Sequence, residues 1–245
     1  MNKAAIPNSL TATNLFCGCL ALMCIGLGEV EPATFLVVFA LLMDFLDGFV
    51  ARMLGVTSNI GKELDSLADM VTFGVVPGFI MALLIREAQG YDFLPGEFWQ
   101  EDQGYLFLLA LLVPVFSAVR LARFNLDERQ SDAFFGLPTP ANTILIFAYW
   151  LILRFQPDHW LAVPLREPWV LVGLSLLSSY LLVADIKLIA LKFKDFGWKG
   201  NEFRYTLIVS TLIILPLFRF AAIPFLILLY FLLSLVANQR EKVTA

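Results

Sequence analysis

Long apolar runs constrain the fold of this chain more than any other feature of its sequence. Most are roughly 15–25 residues long, the length of helix that crosses about 30 Å of hydrocarbon. They lack the period-2 alternation of a strand, and a helix satisfies its own backbone hydrogen bonds inside lipid. The runs cover about 9–27, 33–54, 63–85, 105–123, 139–154, 168–184, 205–218 and 221–237. We therefore predict an all-α integral membrane protein with about eight transmembrane helices.

Composition and charge support this prediction. Hydrophobic residues make up 59% of the 245 residues and charged residues 16%, whereas a typical soluble domain is about 25% charged. With the N-terminus in the cytoplasm and eight spans, 13 of the 17 Lys and Arg residues fall on the cytoplasmic side. This is the asymmetry that the positive-inside rule describes. We expect a multi-pass protein of the cell membrane with both termini in the cytoplasm.

Four aspartates lie within this oily sequence, near the expected cytoplasmic surface. Asp44 and Asp47 are spaced i, i+3 near the end of the second run, and Asp65 and Asp69 are spaced i, i+4 near the start of the third. Each pair shares one helix face, and the short connection between the runs favours adjacent antiparallel helices with both pairs facing one gap. A charged side chain at the bilayer centre costs roughly 2.5–3.5 kcal/mol, so the four carboxylates need positive charge nearby. The single nearby arginine, Arg52, cannot neutralise all four.

These carboxylates predict a cation site. An all-oxygen ligand set is typical of Mg²⁺, Mn²⁺ or Ca²⁺. Four carboxylates are enough for two ions, a common arrangement for displacement at phosphate. The alternative is a divalent-cation transporter, in which buried carboxylates line an ion path. A transport path should place ionisable residues at mid-depth in several spans, whereas here they cluster at one face.

The residues around the aspartates resemble the signature of the CDP-alcohol phosphotransferases. The string reads Asp44-x-x-Asp47-Gly48-x-x-Ala51-Arg52, then eight residues, then Gly61-x-x-x-Asp65-x-x-x-Asp69, and it departs from the signature at none of the fixed positions. The resemblance implies an enzyme in which a hydroxyl attacks the β-phosphate of a CDP-linked substrate and CMP leaves. It also implies a homodimer. The composition indicates a single membrane domain, 1–245. Within it, 1–204 would be a six-helix catalytic core, and 205–245 would add two helices.

The resemblance also implies roles for particular residues. The four aspartates would bind two ions, Mg²⁺ or Mn²⁺, and Asp69 would also be the general base. Spacing alone leaves any of the four open for that role. The residues expected to contact the CDP-lipid are Gly48, Ala51, Arg52, Ser58 and Asn14.

Further stretches narrow the choice of acceptor alcohol. "NSLTATNLFCG", "GKELDSLADMVTFGVVP", "RLARFN…FFGLPTPAN" and "LKFKDFGWKGNEFR" resemble membrane-embedded phosphatidylserine synthases, over residues 8–205. The implied substrates are CDP-diacylglycerol and L-serine, in contact with membrane lipids and with no nucleic acid beyond the cytidine nucleotide. Glycerol 3-phosphate and inositol phosphate are alternative acceptors, which should require a denser basic cluster near the aspartates.

Serine carries a carboxylate that needs a cationic partner near the aspartates. Candidates for contact with the acceptor or a lipid phosphate are Lys62, Arg120, Arg123 and Asn125. The alternative interpretation is that the two arginines anchor the topology or contact lipid headgroups.

Overall fold

The computed structural model describes residues 3–56, 58–91, 104–126, 134–189, 197–198 and 201–244. This part of the chain is almost entirely helical, as predicted. Its α-helices are α1 (Ala5–Gly26), α2 (Val30–Leu54), α3 (Asn59–Asp69), α4 (Val76–Ala88), α5 (Leu112–Leu126), α6 (Thr139–Phe155), α7 (Ala162–Leu165), α8 (Pro168–Val183), α9 (Glu202–Phe218) and α10 (Ala222–Thr244). A π-helix, Met70–Val75, joins α3 to α4, and 3₁₀ segments, Tyr105–Leu111 and Arg219–Ala221, precede α5 and α10. Two short strands, β1 (Phe134–Phe135) and β2 (Lys187–Leu188), pair antiparallel.

Each of the eight predicted apolar runs is helical in the structure. Five helical ranges are long and apolar enough to cross a membrane, and two further apolar helices, α6 and α8, are shorter. The last long range, Glu202–Gln239, is interrupted at Arg219, whose φ of 52° is positive, and α9 contacts α10 beside this break. The eight-span count and the orientation stay predictions. Four of the basic residues on which the orientation depends lie outside the described residues: Arg129, Lys192, Lys194 and Lys199.

The range Asn59–Ala88 lies at the centre of the helix assembly. In the apolar 18-residue stretch of this range, 72% of the residues are buried, whereas the corresponding stretches of the other four long ranges are 22–33% buried. α4 therefore packs on all sides, against α1, α5, α6 and α8. Its Gly78 allows close contact with α5, since a Cβ there would lie 2.5 Å from Pro114 Cδ. The outer faces of α1 and α2 are instead apolar and exposed, for example at Phe16 and Phe35, as expected of surfaces that contact lipid.

α1 brings the aspartate-bearing helices together. We expected α2 and α3 to lie adjacent and antiparallel. In the structure, α1 packs along α2 and also against α3 and the π-helix, so it connects the two helices. Gly18 makes this contact close, because a Cβ at that position would lie 2.2 Å from Thr72 Oγ1. Thr72 in turn donates to the backbone oxygen of Asn14 at 3.2 Å.

Local sequence determines where α2 ends and α3 begins. Gly55 caps α2 with a φ of 63°, a left-handed conformation that glycine adopts without strain. Ser58 then caps α3, and its hydroxyl accepts the backbone N–H of Gly61 at 3.2 Å. The chain therefore reverses direction over a few residues, and the aspartates on either side of this connection come close together.

Candidate active site

The structure brings the four predicted carboxylates together. Asp44 and Asp47 on α2 and Asp65 on α3 each offer one oxygen atom, and these atoms lie within 4.8 Å of one another. Asp69, one turn further along α3, lies within hydrogen-bonding reach of Asp44. Asp47 is buried and the other three are partly buried. The expectation that both pairs face one gap is therefore confirmed.

α1 supplies hydrogen-bond donors to two of these carboxylates. The hydroxyl of Thr11 donates to Asp47 Oδ2 at 2.5 Å, and the side-chain amide of Asn14 donates to Asp69 Oδ1 at 3.3 Å. Both residues are buried. We predicted Asn14 as a contact of the CDP-lipid, and we made no prediction for Thr11. A signal was available, since Thr11, Asn14 and Gly18 recur at helical spacing on one face of an apolar helix.

The carboxylate set fits a hard divalent cation. Its donor atoms are all oxygens, which is the ligand chemistry of Mg²⁺ and Mn²⁺. Three carboxylates this close together in a membrane domain also repel one another unless a cation offsets their charge. The donation from Thr11 fixes one carboxylate in place, as the outer-sphere partners of metal ligands commonly do.

A cleft of about 240 Å³ opens beside the carboxylates, between α1, α2 and the start of α3. Asp47 and Asp65 line it, together with three predicted CDP contacts, Gly48, Ala51 and Ser58. The small residues keep the cleft open. A Cβ at Gly61, for example, would lie 2.9 Å from Asn8 Oδ1. The N-terminus of α3 faces the cleft, and such a terminus favours bound phosphate.

Arg52 lies beside this cleft. It is exposed, and a Cβ at Gly48 would lie 3.3 Å from its Nη1 atom. Its positive charge therefore lies next to the small residues that line the cleft.

The predicted acceptor residues divide into two groups. Lys62 lines the cleft and donates to the backbone oxygen of Asn125 at 2.9 Å, which ties α3 to the end of α5. Asn125 donates to Ser66 Oγ, which reinforces the same tie. Arg123 donates to the backbone oxygen of Val183 at the end of α8. These three residues thus have contacts that join helices.

Arg120 differs from the other three because it is buried. Only 7% of it is exposed, and its guanidinium lies 5.8 Å from the centre of the Phe124 ring. Asp69 is the acidic residue whose charge acts on it. Of the four predicted acceptor residues, Arg120 is thus the one that lies inside the helix assembly, where the charge of Asp69 acts on it.

Comparisons with known proteins cover most of the chain. Residues 4–185, which include α1–α8 and the four aspartates, match the CDP-alcohol phosphatidyltransferase family. The CDP-diacylglycerol–serine O-phosphatidyltransferase of Helicobacter pylori strain J99 is 34% identical over 209 residues, 84% of this chain and 80% of that protein. The Bacillus subtilis protein of the same name is 32% identical over 151 residues, 59% of this chain and 76% of that protein. The archaetidylserine synthase of Methanothermobacter thermautotrophicus is 33% identical over 150 residues, 60% of this chain and 58% of that protein.

Proposed function

The chain belongs to the CDP-alcohol phosphatidyltransferase family, and on that premise we propose that it transfers the phosphatidyl group of CDP-diacylglycerol to L-serine, giving phosphatidylserine and CMP. The relatives named for this reaction support serine as the acceptor. The observation that carries the proposal is the meeting of Asp44, Asp47 and Asp65 beside a cleft suited to a nucleotide. This arrangement places a cation site beside a surface suited to phosphate, and phosphoryl-group transfer requires both.

The four aspartates are proposed to hold two divalent ions, Mg²⁺ or Mn²⁺. When bound, these ions supply positive charge that stabilises the diphosphate and the leaving CMP. The cleft would hold the CDP group through Gly48, Ala51, Arg52 and Ser58.

Asp69 is proposed to take the proton of the serine hydroxyl. The new bond forms between the serine oxygen and the β-phosphorus, and the bond from that phosphorus to the CMP oxygen breaks. CMP leaves with the bonding electrons.

The surroundings of Asp69 support its role as the base. It lies outside the compact set of oxygen atoms formed by the other three aspartates. Asn14 donates to one of its oxygens, which orients the carboxylate. A base also needs to lie near the incoming acceptor, and Asp69 is the aspartate whose charge acts on Arg120.

The proposal extends to the arrangement in the membrane. We place the site at the cytoplasmic face of the cell membrane, with eight spans and both termini in the cytoplasm. Residues 1–204 would form the catalytic core and 205–245 two additional helices. The family match ends at residue 185 and so does not include α9 and α10, which supports this division. A homodimer stays a prediction from the family resemblance.

CMP release by the purified full-length protein tests the reaction. The assay supplies CDP-diacylglycerol and Mg²⁺ or Mn²⁺, with and without L-serine, to the wild type, Asp69→Asn and Glu63→Gln. Because a positioned base contributes about 10²–10⁴-fold, Asp69→Asn should lower the serine-dependent rate by at least about 100-fold. Glu63, exposed on the same helix, is the matched control and should behave as wild type.

Two results would contradict the proposal. Release stimulated by glycerol 3-phosphate or inositol phosphate, and not by serine, would exclude serine as the acceptor. If protein that size-exclusion chromatography shows to be folded releases no CMP with any of these acceptors, the reaction itself would be excluded.

A further inference from the structure

A second polar cluster is buried where α5 and α6 pack against the π-helix. Ser117 and Arg120 lie one turn apart on α5, and Thr139 and Asn142 lie one turn apart on α6. All four are buried, and Ser117 and Asn142 are 0% exposed. Arg120 Nη1 lies 3.5 Å from Thr139 Oγ1, which links the two helices at this level. The cluster is therefore a polar region inside an otherwise apolar assembly.

The π-helix that follows Asp69 forms one wall of this region. A Cβ at Gly74 would lie 3.1 Å from the Cβ of Ser117, so α5 lies directly against the π-helix. On the other side, the hydroxyl of Thr143 donates to the backbone oxygen of Phe73 at 3.1 Å, which joins α6 to it. The polar residues of α5 and α6 thus lie along the same segment that carries Asp69 at its start.

Three atoms of the cluster have no hydrogen-bond partner among the described residues. They are Ser117 Oγ, Arg120 Nε and Asn142 Nδ2. Nor does a carboxylate in the described part of the chain form an ion pair with Arg120. The amide oxygen of Asn142 is already used, since it accepts the hydroxyl of Ser178. Buried polar atoms are nearly always paired in native proteins. Three unpaired atoms on two helices that pack against the same π-helix therefore indicate a ligand site.

We infer that Ser117, Arg120 and Asn142 form the acceptor subsite, and that this subsite selects a small amino acid over a phosphate ester. The inference rests on the proposed function and extends it to residues that the signature does not include. The Arg120 guanidinium would bind the carboxylate of the acceptor, which its planar set of donors matches. The free amide donor of Asn142 would add a second hydrogen bond to it. Ser117 Oγ would accept from the acceptor ammonium group.

Charge explains the preference for an amino acid. The subsite offers one buried guanidinium for the carboxylate of an amino acid, and the negative charge of Asp69, which acts on Arg120, would offset the ammonium group of the same molecule. A phosphate ester carries up to two negative charges and would leave one unbalanced in a buried region. The other predicted cations, Lys62 and Arg123, donate instead to the backbone oxygens of Asn125 and Val183. Arg120 is also within electrostatic reach of Asp69, so a small molecule could present its hydroxyl there while its carboxylate is bound.

Acceptor competition tests the subsite in the purified full-length protein with CDP-diacylglycerol and Mn²⁺. The probes are L-serine and ethanolamine, which has the hydroxyl and the ammonium group but no carboxylate. The wild type should prefer serine by at least about 100-fold, because a site built to bind a polar group rejects an analogue that lacks it. Arg120→Met should raise the KM for serine about 10- to 100-fold, leave the KM for CDP-diacylglycerol unchanged, and reduce the preference for serine by a similar factor.

Further variants separate recognition from folding. Arg120→Lys should show a smaller loss than Arg120→Met, because it keeps the charge and loses the planar donors. Ser117→Ala and Asn142→Ala should each raise the KM for serine severalfold, and they carry the same test if Arg120→Met does not fold. Arg166→Met is the control, because Arg166 donates to the backbone oxygen of Pro157 and lies outside the cluster. It should match the wild type in both KM values.

The outcomes distinguish this inference from the proposed function. A wild type that uses serine, together with cluster variants that keep its KM and its preference over ethanolamine, would overturn the subsite alone. A wild type that releases CMP with a phosphate ester and not with serine would overturn both.

Discussion

Thr11→Val should weaken activation by the divalent cation while leaving the protein folded. The Thr11 hydroxyl donates to Asp47 Oδ2 at 2.5 Å in a buried position. Valine replaces that hydroxyl with a methyl group of similar size, so the packing of α1 on α2 is kept and the hydrogen bond is lost. Asp47 is then free to rotate away from the position it shares with Asp44 and Asp65.

The expected magnitude follows from this bond. A hydrogen bond to a charged group contributes about 1.5–3 kcal/mol, which corresponds to roughly 10- to 150-fold in an equilibrium constant. Loss of an outer-sphere partner of a metal ligand typically costs about 10- to 100-fold in metal affinity or activity. We therefore expect the Mn²⁺ or Mg²⁺ concentration for half-maximal CMP release to rise at least about 10-fold. Thr11→Ser, which keeps the hydroxyl, should restore most of the affinity.

Thr13 provides a matched control on the same helix. Its hydroxyl donates to the backbone oxygen of Ser9 at 2.8 Å, within α1, and has no part in the carboxylate cluster. Thr13→Val should therefore leave the metal dependence within about twofold of wild type, a difference of less than about 0.5 kcal/mol. Equal half-maximal metal concentrations in the Thr11→Val and Thr13→Val proteins, both folded, would refute the outer-sphere role of Thr11.

Two further predictions concern packing and the cation. Gly18→Val should lower the thermal unfolding temperature, because its Cβ would lie 2.2 Å from Thr72 Oγ1 and 3.1 Å from Thr72 Cα, and such overpacking typically costs about 1–3 kcal/mol. Gly26→Ala is the control and should leave the unfolding temperature unchanged, because nothing lies within 4 Å of its Cβ. Equal unfolding temperatures for the two variants would contradict this account of the helix contact. Chelation with EDTA should abolish CMP release and added Mg²⁺ or Mn²⁺ should restore it, since the ligands are oxygens; activity that persists after exhaustive chelation would argue against a metal site.

The aspartate cluster was predictable because its geometry is local. Spacings of three and four residues place each pair on one helix face, and the short connection with Gly55 and Ser58 forces the two pairs toward each other. The family signature then added chemistry that spacing alone does not contain, including the choice of Asp69 as the base. That choice stays a prediction.

The contribution of α1 was not predictable in the same way. It depends on contacts between residues far apart in the chain, such as Thr11 with Asp47 and Asn14 with Asp69. In membrane helices, small and polar residues on one face indicate a helix contact, yet they do not identify the partner. For the same reason the spacing of Arg120 and Arg123 could not show that one arginine is buried near Asp69 and the other donates to the end of α8.

The π-helix at Met70–Val75 sets how the aspartate-bearing helix α3 is rotated relative to α4 within one long helix. Before it, α3 directs Asp65 and Asp69 toward the other carboxylates; after it, α4 is buried in the core. A π-helix accommodates an additional residue relative to a regular α-helix, and each residue of an α-helix advances the side-chain direction by about 100°. If the same six residues formed a regular α-helix instead, both aspartates would be turned by about that angle relative to α4. The candidate active site therefore depends on the π-helical geometry of this segment as well as on the identity of the four aspartates.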